Sequence, residues 1–441
     1  MEGKTRHSQD ALKSIVGVRI PNKSSSELWD VMIDEGLIAS INAHDSKIDT
    51  SASDVLDGAS RLIAPSLCHA HIHLDKCFLL QDPKYSDLQI QSGDFKEAME
   101  MTGEAKSRFD EEDLLRRGRL LVEESIRFGV TAMRAFVEVD GVVQLKCLDA
   151  GLKLKNEYRE RCEIQLCAFA QLPLFSGQDD GAEVRKLMTA AAAEESVEVL
   201  GSTPYVEDGE SKSKENVRWI AQLALSHKKH LDLHLDYFLE EEKQPLVWDV
   251  LSIVKELKWP RTGYLKITLG HCTRLTRFGH DEWQHLRQDV GDLPVSFVGL
   301  PTSDLFMMRT PEGLRGTLPV LELIQQHDLN AAISINNVGN AFTPHGNCDP
   351  LSLASLAVGL YQAGTIKDAE TIYETVSCRA KTVIGCTATS LSPEPGQPAD
   401  FLLFDSSTSG WRCRKSIAEV VYDAGTSRQT VFRGRLTSDT P

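Results

Sequence analysis

Five of the thirteen histidines in this chain stand where their chemistry can be pooled. His69, His71 and His73 alternate along SLCHAHIHLDK, and on an extended backbone residues two apart point to the same side. All three side chains are therefore expected to face together. His234 falls in HLDLHLD and His271 closes YLKITLGH. Neutral imidazoles brought to one point suit zinc, iron, nickel or manganese, whereas magnesium and calcium want oxygen ligands. A lone H-x-H carries little weight, because such matches recur in cores and on surfaces. These histidines gain weight from the elements that end on them.

The middle of the chain alternates short β-rich runs with amphipathic helical ones. The β-like runs end near Cys68, Val139, Ala170, Tyr205, Asp236, His271, Pro301 and Asn337. Their continuous apolar character suits strands buried on both faces of a parallel sheet. Helical patterns lie between them; the first, over 110–129, opens with acids and stops at Gly129. Eight strands with intervening helices have the rhythm of a (β/α)8 barrel, which takes about 250 residues. A doubly wound open sheet competes, but no G-x-G-x-x-G follows the first strand. The expected organisation is a barrel over residues 61–388, its outside completed by helices at 350–363 and 366–385. Residues 1–60 and 389–441, with ELWDVMIDEGLIASI in one and ADFLLFD, AEVVYDA and RQTVFRGRL in the other, read as two halves of one β-sandwich. Residues 80–109 form a long polar stretch with one helical patch, expected to be a lid or entrance wall. The C-terminal ends of barrel strands converge on one mouth, so His71, His73, His234 and His271 are expected to meet there.

Composition removes several classes of function. Over 441 residues, 48 Lys and Arg against 64 Asp and Glu leave a net charge of −16, which repels phosphate backbones and anionic membranes. No apolar run approaches the roughly 20 residues of a membrane span, and Met1–Asp10 lacks the apolar core of a signal peptide. Ten cysteines are scattered without a C-x-x-C pair and read as free thiols, so a cytoplasmic protein is expected. The expected partner is a small-molecule substrate, with no nucleic acid and no membrane; homo-oligomerisation stays open.

The segment APSLCHAHIHLDKCF resembles the first-strand motif of the amidohydrolase superfamily, most closely its cytosine deaminase-like branch. GVTAMRAFVEVD, IQLCAFAQLP, DLHLDYF, ITLGHCTRLT, NNVGNAFTPHGNCDPL and EPGQPADFLLFD follow in the family's order. The resemblance implies a metal-dependent barrel with a sandwich made from both chain ends. It also implies that His71, His73 and His234 ligate one divalent transition metal, zinc first and iron or manganese as alternatives. His271 would touch metal-bound water or substrate, and Gln171, with Asn337, would contact the substrate. Two positions depart from the family. Tyr237 stands where the deaminases carry a proton-shuttling glutamate, and Asn336 stands, with Asn337 beside it, where the superfamily places a metal-ligating aspartate. Neither asparagine can act as a general base, which leaves Tyr237 and Asp304 as candidates for proton traffic. Three functions follow: hydrolysis of a C–N bond in a small cyclic amide or amidine; a lyase, cyclase or isomerase on the same scaffold; or a binding protein without turnover.

Overall fold

The computed structural model describes residues 11–177, 179–387, 389–405 and 414–437. Its centre is a sheet of eight strands: Leu67–His73 (β1), Val130–Glu138 (β2), Glu163–Ala170 (β3), Val199–Ser202 (β4), His230–Leu235 (β5), Ile267–His271 (β6), Val295–Gly299 (β7) and Ala331–Ile333 (β8). Each strand pairs in parallel with its neighbours in chain order. A further parallel bridge from Ile72 to Asn336 brings the first strand against the last, so the sheet closes as a (β/α)8 barrel. β1 (LCHAHIH) and β5 (HLDLHL) are buried along their whole length, their histidines and Asp232 included.

Helix α1 (Glu111–Arg127) shows why the connecting segments are helical. Asp110 caps its N-terminus by accepting from the Asp113 amide at 2.9 Å, and three acids occupy its first turn. Leu114, Gly118, Leu121, Val122, Ser125 and Ile126 form its buried face. The segment 80–109 folds over the mouth as a helix, Phe95–Ser107, capped by Asp94, which accepts from the Glu97 amide at 2.8 Å.

The two chain ends pack on one another. One four-stranded sheet contains Ser14–Val18, Trp29–Asp34, Leu37–Ala43 and Val55–Asp57; a second contains Leu62–Pro65, Phe401–Phe404, Arg428–Phe432 and Arg435–Leu436. Leu12, Ile15, Val31, Ile63, Phe401 and Val431 share one apolar cluster between them. Leu62–Pro65 pairs antiparallel with Phe401–Phe404, and the chain then enters the barrel at Leu67. One expectation is corrected: AEVVYDA is not β-structure. Residues Ile417–Tyr422 form a short helix, because Ser416 and Glu419 make a reciprocal capping box and Ile417, Val420 and Val421 bury one helical face.

The barrel floor is polar. Arg134 on β2, fully buried, donates to Asp232 on β5 at 2.7 Å, to Gln165 at 2.7 Å and to Thr268 at 2.8 Å. Burial raises the Asp232 carboxyl to about 6 against the pull of Arg134. Removing one partner of such a pair strands the other in a low dielectric. Arg134→Met is expected to cost about 3–5 kcal/mol in urea unfolding, and Arg134→Met with Asp232→Leu to recover most of it. Equal losses in the single and double variants would show that packing, not charge, holds the floor.

Candidate metal centre

The first two ligand candidates come from an irregular strand. The register of β1 against β2 shifts between His69 and Ile72. Before the shift, Cys68 and Ala70 pack inside the barrel with Val298 and Ala332; after it, Ile72 joins the outer core. The shift reverses which residues face inward, so His71 and His73 turn into the barrel. His69 does not share their side. It points outward, its Nε2 3.2 Å from Ser125 Oγ on α1, which corrects the expectation of three aligned imidazoles.

His234, at the end of β5, completes the group. Ligating nitrogens of His71, His73 and His234 lie within 4.8 Å of one another, and all three residues are buried. Ring centroids are 5.5 Å apart for His71 and His73, 4.5 Å for His71 and His234, and 5.3 Å for His73 and His234. Phe136 stacks on His71 at 4.0 Å and Phe169 lies 4.2 Å from His234, fixing the imidazoles from below. Burial drives all three well below the usual histidine range, with nearby positive charge adding to the effect, so they are neutral. Both nitrogens of His71, Nδ1 of His73 and Nε2 of His234 are buried without a hydrogen-bond partner. Buried acceptors left open in this number fit a cation, and three imidazoles with one open position suit a divalent transition metal.

The remaining candidates surround this group in different ways. His271 ends β6 with its ring 5.1 Å from His234, and its Nδ1 lies 2.8 Å from Asp304 Oδ1. Asp304 also accepts from Thr317 Oγ1 at 2.7 Å and from the Leu300 amide at 3.2 Å. Burial raises its carboxyl, while His271 and Thr317 stabilise the anion. Asp304 therefore stands behind His271, where it can fix the ring. Tyr237 lies on His271 at 4.0 Å, and burial, then Asp304 and Tyr205, push its phenol well above the usual range. Gln171, just past β3, is buried and hydrogen-bonds with the Tyr205 hydroxyl. Asn336, at φ 69°, donates from Nδ2 to Ser303 Oγ at 2.8 Å and leaves Oδ1 buried without a partner. Asn337 accepts from Asn340 Nδ2 at 2.8 Å, which holds the loop after β8. Asp236 turns away and accepts from the Leu246 and Val247 amides at 2.7 and 3.1 Å.

Sequence reasoning missed a charged cluster beside the imidazoles. Glu138, the last residue of β2, accepts from Lys76 at 2.8 Å and from Lys106 of the lid helix at 2.6 Å; Lys106 also pairs with Asp140. Although burial opposes ionisation, Lys106 and Lys76 hold Glu138 down to about 2. Burial and Glu138 together push Asp75 up to about 6, and its Oδ1 has no partner. The Asp75-Lys76 pair, separated from His73 by Leu74 alone, with an acid ending β2, was the available signal, since charged strand ends of a barrel face its mouth.

No family model matches the chain. It is 22% identical over 388 residues, 87% of its own length and 89% of the relative's, to N-isopropylammelide isopropyl amidohydrolase of Pseudomonas sp. (strain ADP). Its fold matches a 5-methylcytosine deaminase from Klebsiella pneumoniae at a TM-score of 0.82, with 19% identity over 97% of this chain and 98% of that one. It also matches a variant of atrazine chlorohydrolase from Arthrobacter aurescens, solved with zinc and atraton, at a TM-score of 0.66 and 16% identity over 96% and 94% of the two chains. The chain is thus similar in sequence over most of its length to this amidohydrolase and shares the fold of these enzymes.

Asn336 offers a direct test of the imidazole site. A carboxylate at that position would add an anionic donor beside three neutral ones. Asn336→Asp is expected to tighten zinc binding by about tenfold or more in competition with a chelator, about 1.4 kcal/mol or more. Unchanged affinity would place this side chain outside the metal's reach.

Proposed function

We propose that the protein is a metal-dependent hydrolase of a C–N bond in a small cyclic amide or amidine. The observation that carries this reading is the buried group of His71, His73 and His234 beside a fourth imidazole, His271, that a carboxylate orients. Fold alone does not choose a chemistry; these side chains do. The relatives named above support the substrate class, since one is named as an amidohydrolase of N-isopropylammelide and another as a deaminase of 5-methylcytosine. One zinc ion held by the three imidazoles is the proposed complement. When bound, it supplies a Lewis acid that can bring the pKa of water to about 7.

The chain's own groups divide the remaining work. Asp304 anchors Nδ1 of His271, which leaves Nε2 to accept a proton and return it to the departing nitrogen. Tyr237 stays protonated and donates a hydrogen bond to developing negative charge, as a fixed donor in a dry site can do. Gln171, its amide shared with Tyr205, reads the amide edge of the substrate, since one side chain there both donates and accepts. Asn336 and Asn337 shape the wall after β8, Asn337 as a substrate contact. The lid helix over the mouth excludes water.

We assign this site to a barrel domain over residues 61–388, with residues 1–60 and 389–441 as the sandwich. No helix among the described residues is long and apolar enough to cross a membrane. The nine described cysteines are free thiols, in keeping with a cytoplasmic home.

Metal analysis with an assay for released ammonia or amine tests the reading. Zinc-replete protein is expected to hold about one ion per chain and to release amine from aminated pyrimidines or triazines, activity that a chelator abolishes and zinc restores. His71→Ala should lose both ion and activity. Asp304→Asn should keep the ion and lower turnover about 10²-fold or more, because the oriented base is lost. Full metal content in the His71 variant, or undiminished turnover in the Asp304 variant, contradicts the assignment.

A further inference from the structure

Two buried hydroxyl groups stand in a row behind Asn336. Ser303 belongs to the short helix Pro301–Met307 that follows β7, and Thr343 lies in the loop after β8; both are fully buried. Asn336 Nδ2 donates to Ser303 Oγ at 2.8 Å, and Ser303 Oγ lies 2.5 Å from Thr343 Oγ1. Thr343 is fixed in turn by its backbone amide, which donates to Asn340 Oδ1 at 3.1 Å. The other end of the Asn336 amide, Oδ1, is buried without a partner among the described residues. A buried amide oxygen left open in this way needs an explanation.

The backbone sets where that oxygen points. Asn336 lies against β1 between two of the imidazoles, its N–H donating to the His71 carbonyl and its carbonyl accepting from the His73 N–H. Its φ of 69° falls in the left-handed region, which asparagine tolerates better than most residues, and its side chain reaches the His71 ring. Burial lowers the His71 pKa most, and nearby positive charge adds to that. Asn336 acts on it in the opposite sense, as an acceptor does, so the oxygen end of its amide faces the ring. An NH₂ aimed at converging imidazoles would take up the lone pairs that a cation needs. A carbonyl oxygen there adds a donor for the cation instead.

We propose that Ser303 is a positioning residue for the metal centre: it holds the Asn336 amide by its nitrogen, so that Oδ1 is presented to the cation as a fourth, uncharged donor. This rests on the reading of His71, His73 and His234 as zinc ligands. The two ends of an amide fill nearly the same space, so packing does not choose between them. A lone hydroxyl does not choose either, since it can donate or accept. Thr343 decides the matter. With the Ser303 hydrogen directed to Thr343 Oγ1, the serine oxygen is left as an acceptor, and only the NH₂ end of the amide satisfies it. Without that hydroxyl, Nδ2 would be buried and unpartnered, and the amide would gain by turning its NH₂ toward the imidazole nitrogens. Partners that orient a ligand in this way set metal affinity by about 10- to 100-fold.

The test measures the zinc affinity of the full-length protein, in competition with a chromophoric chelator, for wild type, Ser303→Ala, Asn336→Ala and the double variant. Each single variant is expected to bind zinc about tenfold or more weakly than wild type. The double variant should bind no more weakly than Asn336→Ala, because the serine acts only through the amide. Thr343→Val nearly keeps the side-chain shape and removes the partner of the serine hydroxyl, so it should weaken binding in the same direction. It carries the test if Ser303→Ala does not fold, which thermal unfolding of the metal-free variants reveals. Wild-type affinity in any of the three single variants would overturn the proposal. So would an equal loss from Ser303→Ala with and without the Asn336 amide, which is what a purely structural serine would give. Such results, with zinc bound by wild type, sink this inference and leave the three-imidazole centre standing; a wild type that binds no zinc sinks both.

Discussion

The contact between the first and last barrel strands sets the rest of this structure. Asn336 donates its amide to the His71 carbonyl at 3.2 Å and accepts from the His73 amide at 2.8 Å, so the residues that close the barrel flank both imidazoles of β1. Ser334 reinforces the seam, its Oγ donating to the His71 carbonyl at 2.7 Å. A strand with strict alternation could not have kept Ala70 inside, Ile72 outside and both histidines facing the mouth. The register shift between His69 and Ile72 resolves that conflict, and the closing strand holds it in place. Positive φ at His271, Cys272 and Asn336 shows the same demand on the neighbouring strand ends, where the chain must turn sharply while presenting side chains inward.

Burial then decides the charge state of everything the seam brings together. Imidazoles removed from water give up their protons and become acceptors, which is what a cation needs. Carboxylates cannot be treated so simply. Glu138 remains ionised because two lysines reach it, one beside His73 and one from the lid. Moving the lid away would take Lys106 with it and leave buried acids with a single lysine, a change of the size that breaking a buried pair costs, about 3–5 kcal/mol. The lid is therefore bound to the barrel mouth by charge at one end. At the other end Phe95 lies 5.9 Å from Tyr237 and 5.8 Å from Phe342, so aromatic packing fixes the helix there.

The barrel was legible because its strands are short apolar runs followed by amphipathic helices, a pattern few other folds share. The meeting of His71, His73, His234 and His271 followed from that alone, since they sit at strand ends. His69 was misread because the inside-outside rule of a strand holds only while its register is regular, and a shift leaves no mark in composition. The helix at Ile417–Tyr422 was misread for a related reason: four apolar residues in six suit a strand or a buried helical turn equally, and the capping box of Ser416 and Glu419 decides between them. Asp304 was placed on the correct face, but its partner could not be seen. The Lys76–Glu138–Lys106 cluster joins residues far apart in sequence, and nothing local announces that three charged side chains will be buried together.

Neither Tyr237 nor Asn336 brings a negative charge to the mouth, since burial holds the phenol in its protonated form and the amide is neutral. A free phenol titrates near 10, so using it as a proton shuttle at neutral pH costs about 4 kcal/mol, and burial of Tyr237 raises that cost. Tyr237 can donate a hydrogen bond without ever losing its proton, and that role carries no such penalty. Imidazole is the side chain suited to proton exchange near neutrality. His71, His73 and His234 point their free nitrogens at one another, whereas His271 alone among the four is held from behind by a carboxylate. In the proposed hydrolase, proton traffic would therefore converge on this one oriented ring, and such a reaction would suit a substrate whose ring needs no separate carboxylic acid to activate it.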